Sequence, residues 1–333
     1  MNYWQVAAGS DGRDYTKDFL RFGMAFVGGK KHVERMNEVQ VGDRVILKQG
    51  TTAIAAVGTV VQRAGTHGGC GDKQWLRDYD GWDLEAYCYV DWHRPPQPMP
   101  VAGLARGTIK SVTASTVTSA ASAILTKHRP QTHLDPEPGP TAPVADETIL
   151  DFLISNGLGV RAAEELTQTF GRIRRLAKFY YHHCDWETIR EHETRTFLIV
   201  PLLLALGWVE QQIKIELSIP KGRVDVALFQ GVYPGKESET RGCVSLIESK
   251  GFSQGLLYAP GQAHNYASHF PNCKVVFVSN GYCYKAYLRK EDGTFDPDRP
   301  SAYLNILNPR DHYPLDPTVP GCIKAIELLL NWV

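Results

Sequence analysis

The chain has 333 residues, enough for two domains that each bury a core. Hydrophobic residues make up 43% and charged residues 22%, the balance of a water-soluble globular protein, and no apolar run reaches transmembrane length. The formal net charge is zero, so composition does not advertise a polyanionic partner, and nucleic acid would have to be met by local basic patches.

Residues 2–8 read as a strand that begins at once; no charged leader or apolar h-region precedes it, so no secretion signal is expected. Residues 22–29, 41–47 and 53–61 are short, glycine-punctuated strands, and a further strand set near 84–92 ends at Pro95 and Pro96. This pattern predicts a small β-barrel, closed by an Ala/Ser/Thr-rich helix over 114–125. Tyr3-Trp4, the stretch 23–28, Gly42-Asp43, the stretch 55–60 and Val90-Asp91-Trp92 together resemble the EVE branch of the PUA-like fold. Relatives of that fold bind modified bases in nucleic acid, some holding a flipped base between aromatic walls. The resemblance therefore implies a modified-base pocket, with Trp4, Tyr15, Phe26, Trp75, Tyr79, Trp82 and Trp92 as candidate walls. Trp75, Tyr79 and Trp82 are preferred, because residues 68–83 read as a polar loop in which a core role is harder to justify. Asp43 or Asp11 is the candidate for reading a base edge, with turn chemistry as the alternative for both.

Residues 128–145 carry Pro130, Pro136, Pro138, Pro140 and Pro143 and read as a semi-extended linker, with Asp146 as the N-cap of the next helix. The expected division is a recognition domain over 1–127, a linker over 128–145 and a second domain over 146–333. A helix over 160–183 has an apolar stripe of Ile173, Leu176, Ala177 and Tyr180. Its other face carries Arg161, Arg172, Arg174, Arg175 and Lys178, read either as a phosphate-contacting surface or as a solvated face.

Glu191-His192-Glu193-Thr194-Arg195 opens an apolar run that Gly207-Trp208 closes, the pattern of a buried helix with a glycine stop; Pro201 inside it implies a kink or a late start. Residues 222–229 and 244–250 are β-branched strands holding Asp225 and Glu248-Ser249-Lys250. Side chains alternate along a strand, so Glu248 and Lys250 share one face and Ser249 takes the other. If the strands pair, Asp225, Glu248 and Lys250 converge, and two carboxylates beside an ammonium suit Mg²⁺ and an attacking water. Gln262 and Tyr266 lie one turn apart on a following helix, and 274–278 and 282–288 are further strands joined by Ser279-Asn280-Gly281.

In this order, residues 186–290 resemble the PD-(D/E)XK nuclease superfamily, most closely the nuclease domain of type I restriction motor subunits. The departure is Val224, rather than proline, before Asp225. The resemblance implies metal-dependent phosphodiester hydrolysis: Asp225 and Glu248 hold Mg²⁺ (Mn²⁺ able to substitute) with the Ser249 carbonyl, Lys250 orients water or offsets charge, and Gln262 and Tyr266 position the site or a DNA strand. Either Glu191 or Glu193 assists through metal-bound water, the spacing to Thr194-Arg195 favouring Glu191.

The seven cysteines lack a Cys-x-x-Cys pair and read as free thiols of a reducing cytoplasm; His182-His183-Cys184 and His67 with Cys70 lack a partner pair for zinc. No nucleotide-binding Walker loop is present, so no nucleotide cofactor is expected. The expected fold class is α+β in two domains, a PUA-like (EVE) barrel followed by an α/β PD-(D/E)XK domain with a mixed central sheet. The expected function is a modification-dependent restriction endonuclease, of the type IV or IIM kind, in a prokaryotic cytoplasm. Its substrate would be double-stranded DNA with 5-methyl, 5-hydroxymethyl or glucosylated cytosine, cut by a homodimer with no membrane partner. The alternatives are a non-cleaving binding protein and an RNA-directed nuclease.

Overall fold

The computed structural model describes residues 1–9, 14–220, 222–235 and 240–330. Asp11 lies outside the described residues. The chain is mixed α+β, with a curled half-barrel sheet and two further sheets. It divides into two compact units, Met1–Gly139 and Pro140–Val333.

Unit 1 runs β1 (Tyr3–Ala7), α1 (Thr16–Phe22), β2 (Met24–Val27), α2 (Lys30–Met36), β3 (Arg44–Gln49), β4 (Ala53–Val60), β5 (Gly68–Cys70), a 3₁₀ turn (Gln74–Asp78), β6 (Ala86–His93), β7 (Met99–Pro100), β8 (Ile109–Ser111) and α3 (Ser115–Lys127). Its sheet has the order β2-β6-β4-β3-β1-β8, with β5 on β6 and β7 on β4. The β1–β3 pair is parallel and the other pairs are antiparallel. Gly58 lets the sheet curl: a Cβ there would stand 2.2 Å from Val90 Cγ1 and 2.8 Å from the Asp91 carbonyl, so β4 can lie against β6 only without a side chain. Helix α3 covers Ile46, Ile54 and Val57 with Val117, Ala121 and Ile124.

Two expectations for this unit change. Residues 68–83 are not an open polar loop: β5 and the 3₁₀ turn fold Trp75 (3% exposed), Tyr79 (4%) and Trp82 (8%) into the interior. The proline-rich stretch is not a free linker either. Its first part lies on unit 1, where Gln131 N–H donates to the Trp92 carbonyl and Asp135 N–H to that of Arg21. Its last part lies on unit 2, where Ala142 N–H donates to Asp311 and Val144 N–H to the Pro309 carbonyl.

Unit 2 runs α4 (Asp146–Ser155), α5 (Val160–His183), α6 (Glu191–Thr194), a π turn (Arg195–Ile199), α7 (Val200–Ala205), β9 (Ile213–Ile219), β10 (Gly222–Phe229), β11 (Cys243–Ser249), α8 (Pro260–His269), β12 (Val275–Ser279), β13 (Cys283–Leu288), β14 (Ala302–Asn305), β15 (His312–Tyr313), β16 (Asp316–Pro320) and α9 (Cys322–Leu329). The six-stranded sheet has the order β14-β13-β12-β11-β10-β9 and is mixed, because β11 and β12 run parallel. Asp146 is the first residue of α4 rather than its cap, and Ala145 holds the cap position. Pro201 does not break its helix. The π turn shifts the bonding by one residue, Val200 N–H reaching the Arg195 carbonyl, so the proline falls in the first turn of α7. Among the described residues, no helix is long and apolar enough to cross a membrane.

The helix from α6 into the π turn packs on the β12–β13 turn at Gly281, whose φ is +93°. A Cβ there would lie 2.5 Å from Leu198 Cδ1 and 2.7 Å from Thr194 Cγ2. Gly281→Ala therefore combines left-handed strain with a clash, and a loss of about 2–3 kcal/mol is expected. A thermal melt of the variant within a degree of the parent would contradict this account.

Candidate active site

Each strand delivers one part of the site. The β10–β11 register pairs Val226 with Ile247, and its next step sets Asp225 beside Glu248. Ser249 N–H donates to Asp225 Oδ2 at 2.7 Å, tying the first acid to the strand of the second. Glu248, 8% exposed, is a hub for three donors. Lys250 Nζ at 2.8 Å and Gln262 Nε2 at 2.9 Å donate to its Oε1, and the Tyr266 hydroxyl donates to its Oε2. Burial and the Glu248 carboxylate push the Tyr266 phenol far up, so it stays a donor. One turn of α8 supplies both Gln262 and Tyr266, which is why their spacing of four matters.

Glu191 and Glu193 have different surroundings. Glu193 turns back to accept the Arg190 N–H at 2.7 Å, closing the first turn of α6. Glu191 is half-buried, and its carboxyl is raised by burial first and then by Asp225, with Lys250 and Arg195 opposing. Asp225 is raised as well, by burial and then by Glu248, against the Ser249 N–H and Arg195.

Sequence reasoning gave no role to Arg195 or Glu216. Arg195, 6% exposed, donates to Asp225 Oδ1 (3.3 Å), Ser249 Oγ (3.3 Å) and Glu216 Oε1 (3.1 Å). Arg223 joins Glu216 at 3.2 Å. Glu216 sits in β9 opposite Asp225, between the pairs Val224–Leu217 and Val226–Ile215. Its φ of +56° is left-handed, an arrangement that a non-glycine strand residue adopts only under constraint. The sole sequence signal was that Arg195 belongs to the quoted Glu-x-x-Thr-Arg run.

Among the described residues, no three His, Cys, Asp or Glu side chains close on one point as a metal cage. Asp225 and Glu248 nonetheless supply the one or two carboxylates that a largely hydrated Mg²⁺ takes, with the Ser249 carbonyl next in sequence after Glu248. Burial first and the neighbouring carboxylate second raise Glu191 and Asp225, and a bound cation would oppose both effects. The donor set fits a hard divalent cation.

Comparison with protein-family models, with curated proteins and with solved structures finds no match.

The other predicted residues fall differently. Trp4 Nε1 donates to Asp43 Oδ2 at 3.0 Å, and Asp43, 2% exposed, also accepts the Asn2 and Gln40 N–H groups. Asp43 is thus a buried structural clamp and not an open base-edge reader. Phe26, Trp75 and Tyr79 form one buried aromatic cluster with Tyr15, Phe19 and Phe22. On α5, Arg172, Arg175 and Lys178 are exposed. Arg174 is not available to phosphate: it holds Asp146 through two bonds of 2.6 and 2.7 Å and the Ile306 carbonyl at 2.6 Å.

Folding raises Asp225 and Glu191, so the folded chain binds their protons more tightly than the unfolded chain does. The resulting stabilisation is complete below the ordinary carboxylate range and is lost as pH rises through the raised values. Without divalent cations, Asp225→Asn should therefore melt roughly 2–4 °C above wild type at pH 7. The gap should close near pH 4, and added Mg²⁺ should raise the wild type alone. An equal gap at both pH values would refute the repulsion.

Proposed function

We propose that unit 2 is a Mg²⁺-dependent nuclease of the PD-(D/E)XK kind. The observation that carries this is the convergence of Asp225, Glu248 and Lys250, whose charges also act on the Glu191 carboxyl. Asp225, Glu248 and the Ser249 carbonyl would hold the ion, which supplies an acidified water and offsets negative charge on phosphorus oxygens when bound. Lys250, anchored on Glu248, orients the attacking water and neutralises part of the charge that develops as the bridging P–O bond breaks. Gln262 and Tyr266 fix the Glu248 carboxylate so that it meets its partner in one geometry. Arg195 holds Asp225 from the opposite side.

Unit 1 is proposed as the recognition module, a PUA-like (EVE) domain that takes a modified cytosine of double-stranded DNA by base flipping. Its curled sheet and aromatic interior support this reading. The two units together make a modification-dependent restriction endonuclease, working as a homodimer on a duplex. A non-cleaving binding protein is the second reading. It is favoured by the hydrogen bonds already filling both carboxylates, two on Asp225 and three on Glu248.

Incubation of unmodified, 5-methyl-, 5-hydroxymethyl- and glucosylated-cytosine DNA with the protein and Mg²⁺, read on a gel beside matched RNA, tests both readings. Modified DNA should be cut, and Asp225→Ala and Lys250→Ala should each lose at least about 10²-fold in rate while still binding. Undiminished cutting by either variant would remove the site assignment. Binding without cutting by the wild type would favour the second reading, and cutting of RNA alone would redirect the nuclease.

A further inference from the structure

On unit 1, away from the clamped Trp4 and Asp43, one carboxylate gathers an unusual set of donors. Glu137 belongs to no helix or strand, and it comes from the Pro136-Glu137-Pro138 segment. Its Oε2 accepts from Lys73 Nζ at 2.5 Å and from Trp75 Nε1 at 3.4 Å, and its Oε1 from the Tyr89 hydroxyl at 3.3 Å. Lys73 also stands over the Tyr87 ring at 4.7 Å and the Tyr89 ring at 5.3 Å. Tyr87 is fixed by Asp72 at 2.8 Å, so these rings are set independently of Glu137.

The chemistry of this site is one-sided. An ammonium and an indole N–H can only donate, and the phenol donates here. Such a set takes an oxyanion. Lys73 is only 14% exposed in its side chain and Trp75 is 3% exposed, so the donors are buried groups that need an acceptor. The acceptor in place is supplied by a segment without secondary structure, through two long bonds and one short one, and its carboxylate is about one-third exposed. The backbone of the segment is docked separately, through Asp135 on Arg21, so the Glu137 side chain can give way to another oxyanion while the segment stays in place.

We propose that the Lys73–Trp75–Tyr89 cluster binds a phosphodiester oxygen of the DNA backbone, and that Glu137 occupies the place of that phosphate in the free protein. The proposal rests on reading unit 1 as the DNA-recognition module and adds the group that anchors its substrate. Phosphate contacts carry no base information, so this site fixes register while the sequence or modification is read elsewhere. Glu137, tethered beside its donors, competes as an intramolecular ligand and sets the threshold for engagement.

The test uses the full chain without divalent cation and short labelled duplexes, with and without 5-hydroxymethylcytosine, followed by anisotropy at several salt concentrations. Glu137→Gln should bind both duplexes roughly tenfold more tightly, by the same factor, with a salt dependence steeper by about one ion. Lys73→Met should weaken binding, and adding it to Glu137→Gln should erase the gain. The Trp75 indole N–H resonance should shift on Glu137→Gln and shift again when DNA is added. Equal gains on both duplexes sustain the phosphate site even if no preference for the modified base appears, a result that would sink the base-reading function. A protein that prefers modified DNA, but whose Glu137→Gln variant binds no better and leaves the Trp75 resonance unmoved by DNA, overturns the phosphate site alone. Failure of both proteins to bind any duplex overturns both.

Discussion

The constraint on which unit 2 turns is the crowding of acids at one end of its sheet. Glu191, Asp225 and Glu248 approach one another where water is partly excluded, and Glu216 flanks Asp225 on the next strand. Against these four carboxylates stand Arg195, Lys250 and, on the outer side, Arg223. Like charges in such a setting repel by several kcal/mol at low effective dielectric and less near the surface. The chain answers with hydrogen bonds on every oxygen of Asp225 and Glu248, yet the protons of Asp225 and Glu191 are still held too tightly. A structural ion-pair network would be expected to balance. Here burial and the neighbouring carboxylates together keep Asp225 and Glu191 raised despite Arg195 and Lys250.

Geometry follows from that electrostatic demand. The π turn keeps the α6-to-α7 helix continuous through Pro201 while Arg195 reaches three partners from inside it. Gly281 lets the same helix settle on the β12–β13 turn without a gap. Glu216 takes a left-handed backbone in mid-strand, and the ion pairs with Arg195 and Arg223 hold it there. Strain, a helix irregularity and a close glycine contact meet within a few side chains of the same carboxylates, as backbone irregularities tend to do at functional sites.

The parts of the site that sequence made legible are the local ones. Asp225 and Glu248 lie on neighbouring strands of one antiparallel pair and Lys250 directly follows the second, so period-two alternation was enough to bring them together. Gln262 and Tyr266 needed only helical spacing. Arg195 was opaque because its reach to Asp225 and Glu216 depends on a π turn and on tertiary packing, neither of which has a local signature. Glu193 was separated from Glu191 only by a backbone N–H at Arg190. Arg174 looked like part of a basic face because its partner Asp146 lies 28 positions away. The aromatics of 75–82 looked exposed because their polar neighbours suggested a loop. In fact Asp72 is engaged by Tyr87 and Lys73 by Glu137, which leaves the rings free to turn inward. In the strands of unit 1 the glycine punctuation was informative, whereas β7 and β8, at two and three residues, were too short to register.

Proline content misled in a more consequential way. Composition alone reads 128–145 as one spacer, but hydrogen bonds assign its two halves to different units, and the division falls between Gly139 and Pro140. With Asp135 and Glu137 bound on one side and Thr141 and Ala142 held on the other, almost no free chain remains. Asp135 is held twice, by the Arg21 guanidinium and through its own N–H on the Arg21 carbonyl, so a proline-rich composition does not make a free spacer once its few polar groups have found partners.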